Sequence, residues 1–217
     1  MPRLTLPSED CCFRLDSDYA YRQQFPMTFN DVGLSDDGFE FNGSSSLIFG
    51  ESCATIFGKK NITELSIEIT LNLDYQPLSA NDYRCVIFSI SKTMSNALPD
   101  SRDEISLYAR PGNIQTNILG SHVVVCDYST DKTYIIITFD NGIASVYHNN
   151  SEVYQGDVGS NTLVLDDIQQ LVIGSQDNRN LYPLITKGTI PKFSIYNRAL
   201  TEKEISDRYQ KSTFLLE

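Results

Sequence analysis

With 217 residues, 41% apolar and 21% charged, the chain is long enough to bury a hydrophobic core without disulfide support and suits one globular domain. Its net charge of −11 argues against nucleic-acid phosphates and anionic membrane surfaces as partners. No stretch has the length and apolarity of a membrane-spanning helix, and the N-terminal residues lack the apolar core of a signal peptide.

The five cysteines are Cys11, Cys12, Cys53, Cys85 and Cys126. Their number is odd and no pair has the C-x-x-C spacing of a metal knuckle, so neither a disulfide framework nor a zinc site is expected. We expect reduced thiols and folding in a cytosol.

Short strand candidates open the chain at residues 13–16, 39–43 and 46–49. Residues 65–73 then give the clearest alternation in the protein, with leucine and isoleucine at every odd position and polar residues between them. This period of two predicts a strand with one buried face and one face in solvent, and Glu68 lies on the polar face.

The chain after residue 84 continues as short strands separated by turn residues. Asp140-Asn141-Gly142 is a strong hairpin signal, and Asn149-Asn150-Ser151 predicts a further turn. The strand candidates here are residues 85–90, 105–109, 114–118, 122–128, 133–139, 143–148, 152–154 and 171–174.

The last strand is predicted from Phe193 and Ile195, which are two positions apart with a polar residue between them. Pro191 cannot donate a ladder hydrogen bond, which favours a strand start or an edge position.

A short helix should follow. Thr201 and Glu204 have the spacing of a capping box, and Leu200 and Ile205 have that of a hydrophobic staple. Ile205 and Tyr209 would form one apolar edge, so we expect a single helical turn docked on a sheet.

About a dozen strands at short spacing predict an all-β fold, a two-sheet antiparallel jelly-roll sandwich with a short C-terminal helix. We divide the chain into an N-terminal arm (residues 1–12), the sandwich (13–210) and a C-terminal tail (211–217).

The segment GTIPKFSIYNRALTEKEI resembles the closing motif of laminin-G-like domains in the concanavalin A-like lectin/glucanase superfamily. FEFNGSSSLIF resembles the first hairpin of that pattern, IIITFDNGIASVYHNNSEVY its central meander and LVIG the strand before the last loop. The resemblance spans residues 13–210 and implies the concanavalin A-like sandwich. The chain departs from the pattern in having no tryptophan.

Glucanases of this superfamily carry two catalytic carboxylates in an E-x-D-x-(x)-E pattern on one strand, so glucanase activity would require that pattern here. Glu68 stands alone, with Thr70 and Asn72 at the alternating positions. His122 and His148 lack a nucleophile motif and are interpreted as surface or hydrogen-bonded histidines. We therefore predict that the protein is not an enzyme.

Sugar binding needs planar hydrogen-bonding groups beside an aromatic face. The loop of residues 175–182 and, more weakly, residues 75–84 offer both kinds of group, although any exposed loop is polar. The candidate ligand-binding residues are Asp177, Asn178, Arg179, Tyr182, Tyr75 and Tyr83. No cofactor is expected, with calcium at Asp177 the one metal that the sequence allows.

The predicted function is a non-catalytic binding, adhesion or decoration module, a structural protein of a phage virion capsid or tail that binds glycans or other virion proteins. Such a protein would assemble in the host cytoplasm, and a homo-oligomer is allowed. The alternative is a carbohydrate-binding module of a bacterial surface or secreted protein, and the third hypothesis is a glycoside hydrolase.

Overall fold

Strands dominate the described part of the chain. The computed structural model describes residues 11–16, 27–43, 45–74, 85–92, 103–165, 169–174 and 187–214. The first elements are β1 (Cys11–Asp16), β2 (Met27–Asn30), β3 (Gly33–Ser35), β4 (Gly38–Asn42), β5 (Ser46–Phe49), α1 (Cys53–Phe57), β6 (Asn61–Ile62), β7 (Glu64–Leu73), β8 (Cys85–Lys92) and β9 (Asp103–Arg110). The remaining elements are β10 (Asn113–Ile118), β11 (Ser121–Asp127), β12 (Thr133–Asp140), β13 (Ile143–His148), β14 (Ser151–Asp157), β15 (Leu163–Val164), β16 (Gln169–Ile173), β17 (Lys187–Tyr196) and α2 (Glu202–Phe214).

Two antiparallel sheets form the sandwich. The eight-stranded sheet has the order β14-β13-β12-β7-β17-β4-β3, with β1 also paired to β17. The seven-stranded sheet has the order β11-β10-β9-β8-β16-β5-β2, and β15 and β6 form a separate pair. The predicted two-sheet jelly-roll architecture is confirmed.

The core lies between the sheets and is filled by alternate residues of the strands. In β7, the apolar side chains of Leu65 to Leu73 are all at most 1% exposed, as their alternation predicts. The opposite face was expected to be in solvent, which is wrong: Ser66, Glu68 and Thr70 are also buried. This polar side of β7 is covered because α2 packs on the outer face of the eight-stranded sheet.

The closing strand β17 is buried, as predicted, with Phe193 and Ile195 both 0% exposed. Its proline is not at a strand start or edge, however. Pro191 lies inside a central strand, between the residues that pair with β4 and those that pair with β1. The register against β7 also shifts between Thr189 and Lys192, so no regular ladder hydrogen bond is required from Pro191.

The capping box at the start of α2 is confirmed in both directions. The Glu204 carboxylate accepts from the Thr201 amide at 2.9 Å, and the Thr201 hydroxyl accepts from the Glu204 amide at 3.3 Å. Leu200 and Ile205 are buried together, as the staple spacing predicts. The helix is longer than the predicted single turn, with 13 residues and an ion pair between Lys203 and Asp207 on its exposed side.

The segment after β4 is not a hairpin, contrary to the expectation from the resemblance. β4 belongs to the eight-stranded sheet and β5 to the seven-stranded sheet, so the chain crosses between sheets at this point. The Ser45 hydroxyl holds the corner, since it accepts from the Asn42 amide and donates to the Asp31 carbonyl at 2.6 Å.

Both predicted turns of the central meander are confirmed. Asn141 and Gly142 have φ of 47° and 94° between β12 and β13, and Asn149 and Asn150 have φ of 46° and 68° between β13 and β14. Positive φ at both central residues is what two-residue hairpin turns require.

Candidate functional site

All six ligand-binding residues predicted from the sequence lie outside the described residues, as does the calcium ligand Asp177. Their assignment stays a prediction. Within the described ranges, no group of three or more His, Cys, Asp or Glu side chains is placed to hold a metal ion. Among the helices in those ranges, none is long and apolar enough to cross a membrane.

The strand ends that border these two loops meet at one rim of the sandwich. Leu73 pairs with Gly188, which joins the end of β7 to the start of β17. The Gly174 amide donates to the Ile87 carbonyl at 2.8 Å, next to the start of β8. Tyr128, just after β11, donates its hydroxyl to the Leu73 carbonyl at 3.2 Å and so links the two sheets at this rim.

A set of polar side chains lies on the outer face of the seven-stranded sheet, and its members Arg110 and Asn113 are the nearest to this rim. Alternation in β9 places Ile105, Leu107 and Ala109 in the core and so turns the residues between them outward. Cα pairing sets Tyr108 opposite Gln115 and Arg110 opposite Asn113, while β11 contributes His122. We call this set, namely Tyr108, Arg110, Asn113, Gln115 and His122, the Tyr108 cluster.

The Tyr108 hydroxyl organises this cluster from a buried position. It donates to Gln115 Oε1 at 3.3 Å and lies 3.0 Å from His122 Nδ1. In this second contact the tautomer of the His122 ring sets which of the two partners donates. Gln115 Nε2 in turn donates to Asn113 Oδ1 at 2.8 Å.

The ring of Tyr108 also supports Arg110, whose guanidinium carbon lies 5.4 Å from the ring centroid. That distance is within the range of a cation–π contact. Tyr108 is 0% exposed, whereas Arg110, Asn113 and Gln115 are partly exposed and His122 is exposed. One buried tyrosine thus holds four planar polar groups at a surface.

A second polar cluster lies on the other sheet and is closed. Glu68 is 0% exposed; its carboxylate accepts from Lys192 Nζ at 2.6 Å and from the hydroxyls of Tyr134 and Tyr196, both at 2.7 Å. Arg208 of α2 lies 3.6 Å from the same carboxylate and donates to the Tyr196 hydroxyl at 2.7 Å. We call these five residues the Glu68 network.

Charge and burial act in opposite directions on this network. Burial opposes ionisation of Glu68, but the Lys192 ammonium and the three hydrogen bonds outweigh it and hold its pKa below the ordinary value. Burial and the Glu68 charge raise the pKa of Tyr134 and Tyr196, so both hydroxyls remain protonated donors. The ionised Glu68 carboxylate accepts hydrogen bonds from Lys192, Tyr134 and Tyr196 and lies near Arg208 of α2. It is therefore suited to holding α2 on the sheet.

The Tyr108 cluster was not predicted from the sequence, although a signal was present. Ser106, Tyr108 and Arg110 alternate on one strand, and Asn113, Gln115 and Asn117 alternate on the next. His122 was interpreted as a surface or hydrogen-bonded residue, which agrees with its contact to Tyr108. The pairing of β9, β10 and β11, which brings the residues of the Tyr108 cluster together, cannot be derived from one sequence.

Comparison with curated protein sequences finds no match. The structure is similar to the sialidase of Trypanosoma rangeli in complex with sialic acid (TM-score 0.72, 14% identity), covering 94% of this chain and 33% of the sialidase. It is similar to the receptor-binding domain of botulinum neurotoxin C/D mosaic serotype (TM-score 0.63, 16% identity, 93% of this chain and 51% of that one).

A third similar structure is a single domain. Domain 4 of the GH43 extracellular arabinanase AbnA from Geobacillus stearothermophilus, in complex with arabinotriose, has a TM-score of 0.62 and 14% identity. The match covers 91% of this chain and 97% of that domain, whereas this chain spans only about a third of the sialidase. At these identities the likeness concerns the fold.

The laminin-G-like family model described as "Concanavalin A-like lectin/glucanases superfamily" matches residues 54–206, from α1 into α2 and including every strand of the Tyr108 cluster. The chain belongs to the concanavalin A-like lectin/glucanase superfamily.

Proposed function

We propose that this chain is a non-catalytic glycan-binding domain and that its binding surface is the Tyr108 cluster. The observation that carries the proposal is the anchoring of a guanidinium, two amides and an imidazole around one buried tyrosine. Planar polar groups of fixed orientation are what saccharide hydroxyls require, and fixing them in advance reduces the entropy lost on binding.

The chemistry of both polar clusters supports binding rather than hydrolysis. Glycoside hydrolysis uses two carboxyl groups on either side of the scissile bond. The Tyr108 cluster is bordered by the single carboxylate of Asp127, opposite Asn113, and the Glu68 carboxylate is fully buried and occupied by Lys192 and two tyrosines. Two of the similar structures are complexes with sialic acid and arabinotriose, which is consistent with a saccharide ligand.

The test is a glycan array followed by calorimetry on the glycans that bind. The paired substitutions Asn113→Ala and Gln115→Ala should abolish binding without changing the melting temperature by more than a few degrees. Gln155→Ala is the matched control, because Gln155 is an exposed amide on β14 of the other sheet. Equal binding by the wild type and the Asn113/Gln115 variant would place the site elsewhere, and no binding to any glycan would contradict the function.

The setting in which the domain acts is a separate proposal. Attachment to a phage virion, assembly in the host cytoplasm and a homo-oligomeric state stay predictions from the sequence. High, symmetric copy number of the chain in purified particles would support the virion role. Recovery of the chain only from a bacterial surface or culture medium would favour the cellular alternative.

A further inference from the structure

Arg110 carries a positive charge in the Tyr108 cluster that binding of a neutral sugar would not require. Its guanidinium rests on the Tyr108 ring and is partly buried, yet no described residue gives it an ion pair or a hydrogen-bond acceptor. Arg198 is paired with Glu204, and Arg208 contacts Glu68 and Tyr196. In a chain with 28 acidic and 17 basic residues, a guanidinium without a carboxylate partner is conspicuous.

The neighbours of Arg110 add further donors. Asn113 lies directly opposite Arg110 in the ladder, and its Oδ1 is occupied by Gln115 Nε2. The Nδ2 group of Asn113 therefore has two protons to donate, and no described residue accepts them. Arg110 and Asn113 together present an excess of donors over acceptors, which is complementary to an anionic oxygen group.

The surrounding charge limits what that anion can be. Asp127 pairs with Asn113 on the side away from Arg110 and is exposed, and the chain as a whole carries −11. A densely charged polyanion would be repelled by this field. A ligand with a single anionic group on an otherwise uncharged body would meet the Arg110 guanidinium and little opposing charge.

We infer that the saccharide bound by the Tyr108 cluster carries one anionic group, a carboxylate or a sulfate, and that Arg110 binds this group and selects acidic over neutral glycans. This inference rests on the proposed function. Bidentate contact with a carboxylate or sulfate is the geometry for which a guanidinium is suited, and that of Arg110 lies 5.4 Å from the centroid of the Tyr108 ring.

The test uses glycan pairs that differ only in the acidic group. Suitable pairs are a sialylated and a desialylated oligosaccharide, a glucuronate-terminated oligosaccharide and its carboxyl-reduced form, and a mono-sulfated oligosaccharide and its unsulfated form. The wild type should bind the acidic member of at least one pair about tenfold more tightly, and this preference should weaken as salt is raised. The pair that shows the preference identifies the group as carboxylate or sulfate.

Arg110→Gln should remove the preference, so that its affinities for the acidic and the neutral member of the pair differ by less than about twofold, and Arg110→Lys should keep the preference only in part. Lys203→Gln removes one positive charge from the exposed side of α2 and should change nothing, which controls for net charge. Retention of the acidic preference by Arg110→Gln would overturn the role of Arg110. Equal wild-type affinity for both members of every pair would overturn the inference and leave the proposed function standing, whereas no binding to either member would contradict both.

Discussion

Glu68 and Lys192 form an ion pair 2.6 Å long between neighbouring central strands, although 124 residues separate them in the chain. The pair lies beneath α2, and Arg208 of that helix approaches the other carboxylate oxygen. The carboxylate thereby ties together three parts of the fold, namely β7, β17 and α2.

Glu68→Gln should destabilise the domain by about 2–4 kcal/mol, because it leaves two cations without their carboxylate. The lower part of the range is expected since Lys192 and Arg208 are about a quarter exposed. Urea unfolding measures the change. Lys203→Ala, which breaks an exposed ion pair on the same helix, should leave the free energy of unfolding nearly unchanged. Similar losses in the two variants would mean that the buried network is no stronger than a surface pair.

Two buried serines on the same face of the sheet offer a matched comparison. The Ser66 hydroxyl donates to the Arg198 carbonyl at 3.0 Å and accepts from the Leu200 amide at 2.9 Å, so it holds the turn that precedes α2. Ser66→Ala should therefore cost about 1–2 kcal/mol. The Ser194 hydroxyl is buried without a hydrogen-bond partner, and Ser194→Ala should be neutral or stabilising. The opposite order of the two melting temperatures would contradict these hydrogen-bond assignments.

Acid should weaken the attachment of α2. Hydrogen bonds from Arg198 and Thr201 outweigh the effect of burial and lower the pKa of Glu204 to about 2, and the pKa of Glu68 is also below its ordinary value of 4.5. The folded state therefore binds fewer protons than the unfolded state, so the contribution of both groups is present above about pH 4.5 and is lost as the pH falls. For Glu204 the loss should continue to about pH 2.

Urea unfolding of the wild type, Glu204→Gln and Glu68→Gln at pH 6, 5, 4 and 3 measures this effect. Each variant should lose less stability than the wild type between pH 5 and pH 3, because one of the two shifted carboxyls is absent. Parallel curves for all three proteins would show that neither group titrates differently in the folded and unfolded states.

The closing strand should not tolerate a charge on its core face. Phe193→Asp would bury an unpaired carboxylate between the sheets, where Phe193 contacts Phe88 with ring centroids 5.3 Å apart. We expect loss of more than about 4 kcal/mol, sufficient to unfold most of the protein at room temperature. Ile143→Asp, at a 43% exposed position of the same sheet, is the control and should cost less than about 1 kcal/mol. A soluble Phe193→Asp variant with an unchanged melting temperature would contradict the burial of β17.

The alternation of residues 65–73, the turns at Asn141-Gly142 and Asn149-Asn150 and the capping box at Thr201 and Glu204 were all predictable from the sequence. Each of these features depends on neighbours within a few positions, through side-chain direction, backbone φ or a local hydrogen bond. The family resemblance then supplied the two-sheet sandwich architecture.

The polar positions were decided by tertiary structure. Glu68 was assigned to a solvent face because alternation distinguishes two faces of a strand but does not say what covers the second one. The Tyr108 cluster depends on the pairing of three strands, which places Arg110 beside Asn113 and the Tyr108 hydroxyl between Gln115 and His122. Local periodicity determines which side chains share a face of a strand. Burial, in contrast, depends on contacts between segments that are distant in the chain. Only the packing of the sheets and α2 therefore decided that Glu68 is enclosed while Arg110 remains accessible.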